Sequence, residues 1–131
     1  MSAPETLRAL VRTDTPLLTP EMPIRRAVAI LLQEQATAAA VIDDSGILRG
    51  ILSQKDCFRP ALNAGYYQEW KGAVGDFMTP NAMTLSVSLD IISAAKAFLE
   101  HSYRLFPVVD GEEFVGMLGR SDVLAHFVEM G

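Results

Sequence analysis

Two short polar segments, one in each half of the chain, carry the residue types best suited to holding a small ligand. They are Ser53-Gln54-Lys55-Asp56 and Gly119-Arg120-Ser121-Asp122, and each stands where an apolar strand pattern gives way to a helical one. Asp56 and Asp122 are acceptor-only carboxylates, suited to a pair of vicinal hydroxyls such as those of a ribose. Ser53 and Ser121 add hydroxyls, Lys55 and Arg120 add positive charge, and unpaired N–H groups at a helix start favour a phosphate. The two segments are therefore candidate sugar-phosphate sites.

A structural role for the first segment competes with this hypothesis. Ser-x-x-Asp before an apolar helix is close to a capping box, in which Ser53 and Asp56 close the helix end. Such a cap contributes about 1 kcal/mol and needs no ligand. Both interpretations stay open from the sequence.

Other residues give no sign of catalysis or of a metal site. His101 and His126 have no spacing to a Cys, Asp or Glu cluster, and no serine has a convincing histidine and acid partner. Cys57 is the single cysteine, so no internal disulfide is possible, which fits a reducing cytoplasm. We therefore predict a protein that is not an enzyme and that needs no cofactor.

The chain repeats itself at an offset of about 67 residues, which places the two polar segments in equivalent positions. Identical residues keep their order in the two halves: Ile24/Ile91, Ala27/Ala94, Leu32/Leu99, Val41/Val108, Asp43/Asp110, Gly50/Gly116, Leu52/Leu118 and Asp56/Asp122. Each copy shows a helical stripe, two short strands around a turn, and a second helix. The predicted helical stripes are Ile24, Ala27, Val28, Leu31 and Leu32 in the first copy, and Ile91, Ala94, Ala95, Phe98 and Leu99 in the second.

Composition bounds the class of protein. Half of the 131 residues are hydrophobic, which is enough for a packed interior, and the apolar runs are too short to span a bilayer. The formal charge of −5 argues against non-specific nucleic-acid binding. The first 13 residues lack an apolar signal-peptide core. We expect a cytoplasmic protein without membrane or nucleic-acid partners.

The sequence resembles the CBS domain family, named after cystathionine β-synthase and usually found as tandem pairs. The resemblance rests on three kinds of segment: Asp76-Phe77-Met78-Thr79-Pro80, Phe106-Pro107-Val108-Val109-Asp110, and the two glycine-to-aspartate runs that begin at Gly50 and Gly116. It implies an α/β fold of two β-α-β-β-α repeats packed through their sheets with pseudo-twofold symmetry. The implied division is an N-terminal extension (1–15), a first repeat (16–64), a linker (65–80) and a second repeat (81–131).

The resemblance also implies an adenosine-containing ligand in the cleft between the repeats, with the motif aspartate on the ribose. By the same resemblance the stretch from Arg104 to Pro107 borders the nucleotide, and its counterpart Thr37-Ala38-Ala39-Ala40 has no side chain for an anion. Gly119 departs from the motif, which expects Ser or Thr there. The positive groups favour AMP, ADP or ATP over S-adenosylmethionine, whose sulfonium is itself a cation.

Two further expectations concern partners. By resemblance, two copies form a flat dimer through the helices that follow each motif, and any regulatory output passes to an unknown effector protein. The alternative function is a ligand-free structural module that acts through protein–protein contacts.

Overall fold

The computed structural model describes residues 6–130, which fold into two compact units. The first unit spans Thr15–Ala82, and the second combines the described residues up to Asp14 with those from Met83 onward. Residues 65–80, which the sequence suggested as a linker, lie within the first unit, and the segment before the first repeat packs with the second. Within residues 6–130 no helix is long and apolar enough to cross a membrane.

The first unit is a four-stranded sheet with helices. Its sheet order is β1-β2-β3-β4, where β1 is Leu17–Leu18, β2 is Ala38–Ile42, β3 is Leu48–Ser53 and β4 is Thr79–Pro80. Helix α1 (Ile24–Gln33) makes the crossover between the parallel strands β1 and β2. A 3₁₀ turn (Lys55–Cys57) follows β3 and leads into α2 (Phe58–Tyr67), and α3 is Val74–Phe77. The order is β-α-β-β-α, as predicted.

The second unit repeats this order on a three-stranded sheet, β5-β6-β7. Its elements are a 3₁₀ turn at Leu7–Ala9, β5 (Leu85–Ser86), α4 (Ile91–Glu100), β6 (Leu105–Asp110), β7 (Glu113–Gly119) and α5 (Arg120–Met130). Val41 faces Gly50 in the first hairpin and Val108 faces Gly116 in the second, and both registers shift immediately afterwards. The predicted α/β repeat is therefore confirmed, and the two hairpins also share their strand register.

Each unit buries its own apolar cluster against its sheet. In α1 the residues Ile24, Ala27 and Leu31 are buried, since they recur at helical spacing on the side that faces the sheet. The prediction was wrong for the last member of each stripe, because Leu32 is 62% exposed and Leu99 is 87% exposed. Leu32 follows the buried Leu31 and Leu99 follows the partly buried Phe98, so both leucines lie on the side of their helix that is turned away from the core.

The segment that precedes each repeat lies along the third strand of a sheet. Thr79 of β4 pairs with Ile51, and Arg12 pairs with Met117 through N–H···O bonds of 2.8 and 2.9 Å in the two directions. Ile51 and Met117 are equivalent in the two hairpins, so Thr79 and Arg12 occupy equivalent places in their own units. This equivalence determines which residue each segment places beside the strand-to-helix junction of its unit. We call these junctions the first corner (Ser53–Asp56) and the second corner (Gly119–Asp122).

Candidate functional site

The first corner joins β3 to the 3₁₀ turn and holds its aspartate by two reciprocal hydrogen bonds. The Ser53 N–H donates to Asp56 Oδ2 at 2.9 Å, and the Asp56 N–H donates to Ser53 Oγ at 3.2 Å. Asp56 is half-buried and Lys55 is exposed. The contacts of a capping box are thus present. They fix the carboxylate but use only part of its capacity to accept hydrogen bonds.

The second corner places its aspartate in the same way. The Gly119 N–H donates to Asp122 Oδ2 at 3.1 Å, as Ser53 does to Asp56. Gly119 brings no hydroxyl, so the second bond of the first corner has no counterpart here. A Cβ atom at Gly119 would lie 2.9 Å from Asp122 Oδ2, which is closer than such contacts occur. Arg120 and Ser121 begin α5 and are exposed.

The expected row of unpaired amides is largely absent from the first corner. In the first corner the N–H groups of Ser53, Asp56, Gln54 and Cys57 donate to Asp56 Oδ2, Ser53 Oγ, Thr37 O and Gln54 O, respectively. In the second corner the Arg120 N–H donates to Arg104 O at 3.0 Å. The first corner satisfies most of its donors because it begins as a tight 3₁₀ turn. Positive charge at the first corner therefore comes mainly from the side chain of Lys55.

The structure brings Arg104 and Arg120 together at the second corner. The bond from the Arg120 N–H to Arg104 O matches the 2.8 Å bond from the Gln54 N–H to Thr37 O in the first unit. Both arginine side chains are exposed, whereas the equivalent Thr37 and Gln54 are uncharged. The two corners therefore differ in charge, the second being richer in cations.

Pro107, the remaining predicted site residue, is buried in β6 opposite Met117. A proline fits in this central strand because β5 pairs only with the following residues, Val108 and Val109, so no ladder bond needs the missing N–H. The structure therefore gives Pro107 a clear packing role.

Sequence reasoning missed Arg12, which makes a bidentate ion pair with Asp122. Arg12 Nε donates to Asp122 Oδ2 at 2.9 Å and Arg12 Nη2 donates to Asp122 Oδ1 at 2.7 Å. These bonds and the charge of Asp122 raise the pKa of the Arg12 guanidinium. Arg12 lies in the segment set aside as an extension. The signal that could have found it is its position 67 residues before Thr79.

The remaining reactive side chains lie in packed surroundings. Cys57 is buried, its Sγ donates to Ser53 O at 3.3 Å, and burial together with the charge of Asp56 raises the pKa of the thiol. His101 stacks on Tyr103 with ring centroids 5.9 Å apart, and His126 packs against Phe127. Residues 6–130 contain no group of three His, Cys, Asp or Glu residues placed to hold a metal ion.

The paired corners and the doubled fold agree with the comparison to known families. The sequence model of the CBS domain matches residues 7–62 and again residues 74–129. The chain therefore belongs to the CBS domain family and carries the domain as a tandem pair.

Among individual proteins, the chain is similar to the chloroplastic CBS domain-containing protein CBSX2 of Arabidopsis thaliana. They are 27% identical over 86% of this chain and 58% of CBSX2, so the chain spans under two thirds of that relative. It is also similar to the CBS domain-containing protein YhcV of Bacillus subtilis, at 22% identity over 85% of this chain and 77% of YhcV. A crystal structure of CBSX2 in complex with AMP superimposes with a TM-score of 0.82, at 27% identity, over 95% of this chain and 97% of that one.

Proposed function

We propose that this chain is a regulatory module that senses an adenine nucleotide. The observation that carries the proposal is the similarity, over 95% of the chain, to a CBS pair crystallised with AMP. The ligand is AMP, ADP or ATP in preference to S-adenosylmethionine, because the corners supply cations for a phosphate and would gain little from a sulfonium. The protein is not an enzyme and acts in the cytoplasm, where its single cysteine stays reduced.

In this proposal each corner side chain contacts the part of a nucleotide that its chemistry suits. Asp56 accepts the ribose hydroxyls through the oxygen capacity that its bond from Ser53 leaves over. Lys55, Arg104 and Arg120 are exposed and provide charge for the phosphate. Ser53 and Ser121 offer hydroxyls, Asp122 is the second acid, and Pro107 belongs to the strand that borders the base.

Thermal unfolding with and without nucleotide tests the proposal. A ligand that binds only the folded chain, at about 100 times its Kd, adds about 2.7 kcal/mol. For a chain of this size the midpoint then rises by roughly 6–10 °C. We expect AMP, ADP or ATP to cause this rise, GMP to cause less, and Asp56→Ala combined with Asp122→Ala to abolish it.

A matched control is available at the turn ends of the two hairpins. Asp44→Ala combined with Asp110→Ala removes the same charge from exposed residues away from the corners, and this variant should respond as the parent does. If the corner variant also responds as the parent does, the site assignment is wrong. If no adenine nucleotide moves the midpoint, the chain is the ligand-free structural module instead.

A second function, homodimerisation, is favoured by exposed apolar residues on the helices of both units. Phe58 is 65% and Leu62 is 59% exposed on α2, and their equivalents on α5, Leu124 and Val128, are 63% and 79% exposed. In the first unit a cavity of about 180 Å³ opens beside Phe58 of α2. Its lining residues are Val28, Leu31, Leu32, Gln54, Cys57, Phe58 and Ala61. Apolar surface of this kind marks a protein–protein contact. We propose that a second copy of the chain covers these helices and that an effector protein binds the resulting dimer.

Light scattering after size exclusion tests the dimer. We expect Phe58→Glu combined with Leu124→Glu to convert a dimer of the parent into a monomer, because the charge would be buried without a partner. Met83→Glu, at a 43% exposed methionine away from these helices, should leave the dimer intact. A parent chain that elutes as a monomer at micromolar concentration would contradict the dimer.

A further inference from the structure

The carboxylate of Asp122 is already occupied within its own unit. A carboxylate offers about four acceptor positions, two on each oxygen, and a vicinal diol bound across it needs one on each. Oδ2 of Asp122 accepts from the Gly119 N–H at 3.1 Å and from Arg12 Nε at 2.9 Å, while Oδ1 accepts from Arg12 Nη2 at 2.7 Å. Both positions on Oδ2 are therefore filled, so a diol cannot bind across this carboxylate while Arg12 stays.

The backbone of Arg12 is held in place independently of its side chain. Its N–H and C=O both bond to Met117, and its carbonyl lies so close to Gly116 that any Cβ there would collide with it. The guanidinium meets the carboxylate with two parallel bonds, the strongest geometry for such a pair. Arg12 is thus a fixed part of the second corner.

The first corner lacks an equivalent of this cation. Thr79 occupies the place of Arg12, paired with Ile51 as Arg12 is with Met117. A threonine hydroxyl carries no charge and cannot form the bidentate pair. Among the described residues, the structure shows one hydrogen bond to Asp56 Oδ2, from the Ser53 N–H, so each oxygen keeps a position for a hydroxyl. Whether the corner carboxylate is paired or open therefore depends on one residue position, which is Thr79 in one unit and Arg12 in the other.

We propose that Arg12 closes the second corner to the ribose, so that each chain binds one nucleotide through Asp56. This inference rests on the proposed nucleotide-sensing function and adds to it the number of sites and the residue that sets that number. Arg12 acts as a specificity-determining residue: it leaves the second unit its arginines for an anion and removes its acid from sugar binding.

Titration calorimetry with AMP tests the proposal through exchanged residues. The parent should bind one AMP per chain, and Arg12→Thr should bind two, because the exchange gives the second corner the residue of the first. Thr79→Arg should abolish detectable AMP binding at the first corner, because a bidentate arginine would then occupy Asp56 as Arg12 occupies Asp122. Asp56→Asn should lose binding, whereas Asp122→Asn should still bind one AMP.

Arg49→Thr is the matched control. Arg49 pairs with Asp43 at 2.6 Å, and the two side chains are 55% and 22% exposed, nearly the same as the 56% and 20% of Arg12 and Asp122. Because this pair joins the turn after β2 to the start of β3, at the end of the hairpin away from the corner, its loss should leave one AMP per chain. Circular dichroism on every variant checks that it is folded.

Three results would overturn the inference while the proposed function stands: two AMP per parent chain, one AMP per chain in Arg12→Thr, or binding that depends on Asp122 and not on Asp56. Binding of 2′-deoxy-AMP as tight as that of AMP would also overturn it, because the diol would then play no part. If AMP, ADP and ATP all fail to bind the parent, the proposed function fails, and this inference fails with it.

Discussion

Replacing Gly116 by alanine should destabilise the second unit through one close backbone contact. A Cβ atom at this position would lie 2.3 Å from the Arg12 carbonyl oxygen and 2.5 Å from Val11 Cγ1. The neighbour is mainly backbone, which cannot swing away as a flexible side chain does. The segment around Arg12 must therefore move off β7, and its two hydrogen bonds with Met117 must lengthen or break.

The expected loss is about 1–5 kcal/mol. Two backbone hydrogen bonds contribute about 0.5–1.5 kcal/mol each, and overpacking of a tight site costs about 1–3 kcal/mol. The lower chain entropy of alanine in the unfolded state returns about 0.4–1 kcal/mol. The same displacement carries Arg12 away from Asp122, so the variant should also lose the closed state of the second corner.

Urea unfolding followed by circular dichroism measures this loss, and Gly65 provides a control of opposite sign. Gly65 lies in α2, is exposed, and an added Cβ would meet nothing within 4 Å. Gly65→Ala should therefore stabilise the chain by about 0.5–1 kcal/mol through helix propensity. The reasoning is refuted if Gly116→Ala unfolds within about 0.5 kcal/mol of the parent, the range of a neutral surface change.

Three further predictions follow from local contacts. Gly50→Ala should lower the urea midpoint of the first unit as Gly116→Ala does in the second, since its Cβ would lie 2.5 Å from Thr79 O; an unchanged midpoint would contradict the equivalence of the units. Backbone donation from Ile47 lowers the pKa of Asp43, and the Ser93 hydroxyl and amide lower the pKa of Asp90. These hydrogen bonds stabilise the folded chain at a pH above the unfolded carboxyl pKa near 3.9, and this stabilisation is lost as the pH falls below that value. The thermal midpoint should therefore drop between about pH 5 and pH 3. It should drop less in the double variant Asp43→Asn with Asp90→Asn. Burial raises the pKa of Cys57, so iodoacetamide at pH 8 should modify the native thiol roughly tenfold more slowly than the urea-unfolded thiol, and equal rates would show that the side chain is open.

The element order could be predicted from the sequence because each element carries a local signal. In each hairpin two short apolar strands flank a run of turn residues. The apolar residues of α1 and α4 recur at helical spacing. Local signals do not fix where burial stops, which is why Leu32 and Leu99 were grouped with the core although they are exposed. Their exposure depends on which side of the helix the core covers, and that is a tertiary property.

The corners were only half predictable for the same reason. The reciprocal bonds of Ser53 and Asp56 join residues three apart, so the capping pattern announces them in the sequence. The ion pair of Arg12 and Asp122 joins residues 110 positions apart and depends on the bridge between Arg12 and Met117. No spacing rule reaches that far, although the repeat offset, applied to the segments before each copy, would have placed Arg12 opposite β7.

The motif glycines illustrate how the repeat combines one scaffold with two kinds of corner. Neither Gly50 nor Gly116 has positive φ, and both are required because the segment before a repeat crosses them at backbone distance. That crossing places residue 79 beside the first corner and residue 12 beside the second in a fixed frame. Because the two units share this backbone arrangement, exchanging threonine and arginine at this one position decides whether the corner aspartate is paired with an arginine, and the fold stays the same. The first corner thus has an acid with open acceptor positions, whereas the second has arginines beside an acid that is already paired with Arg12.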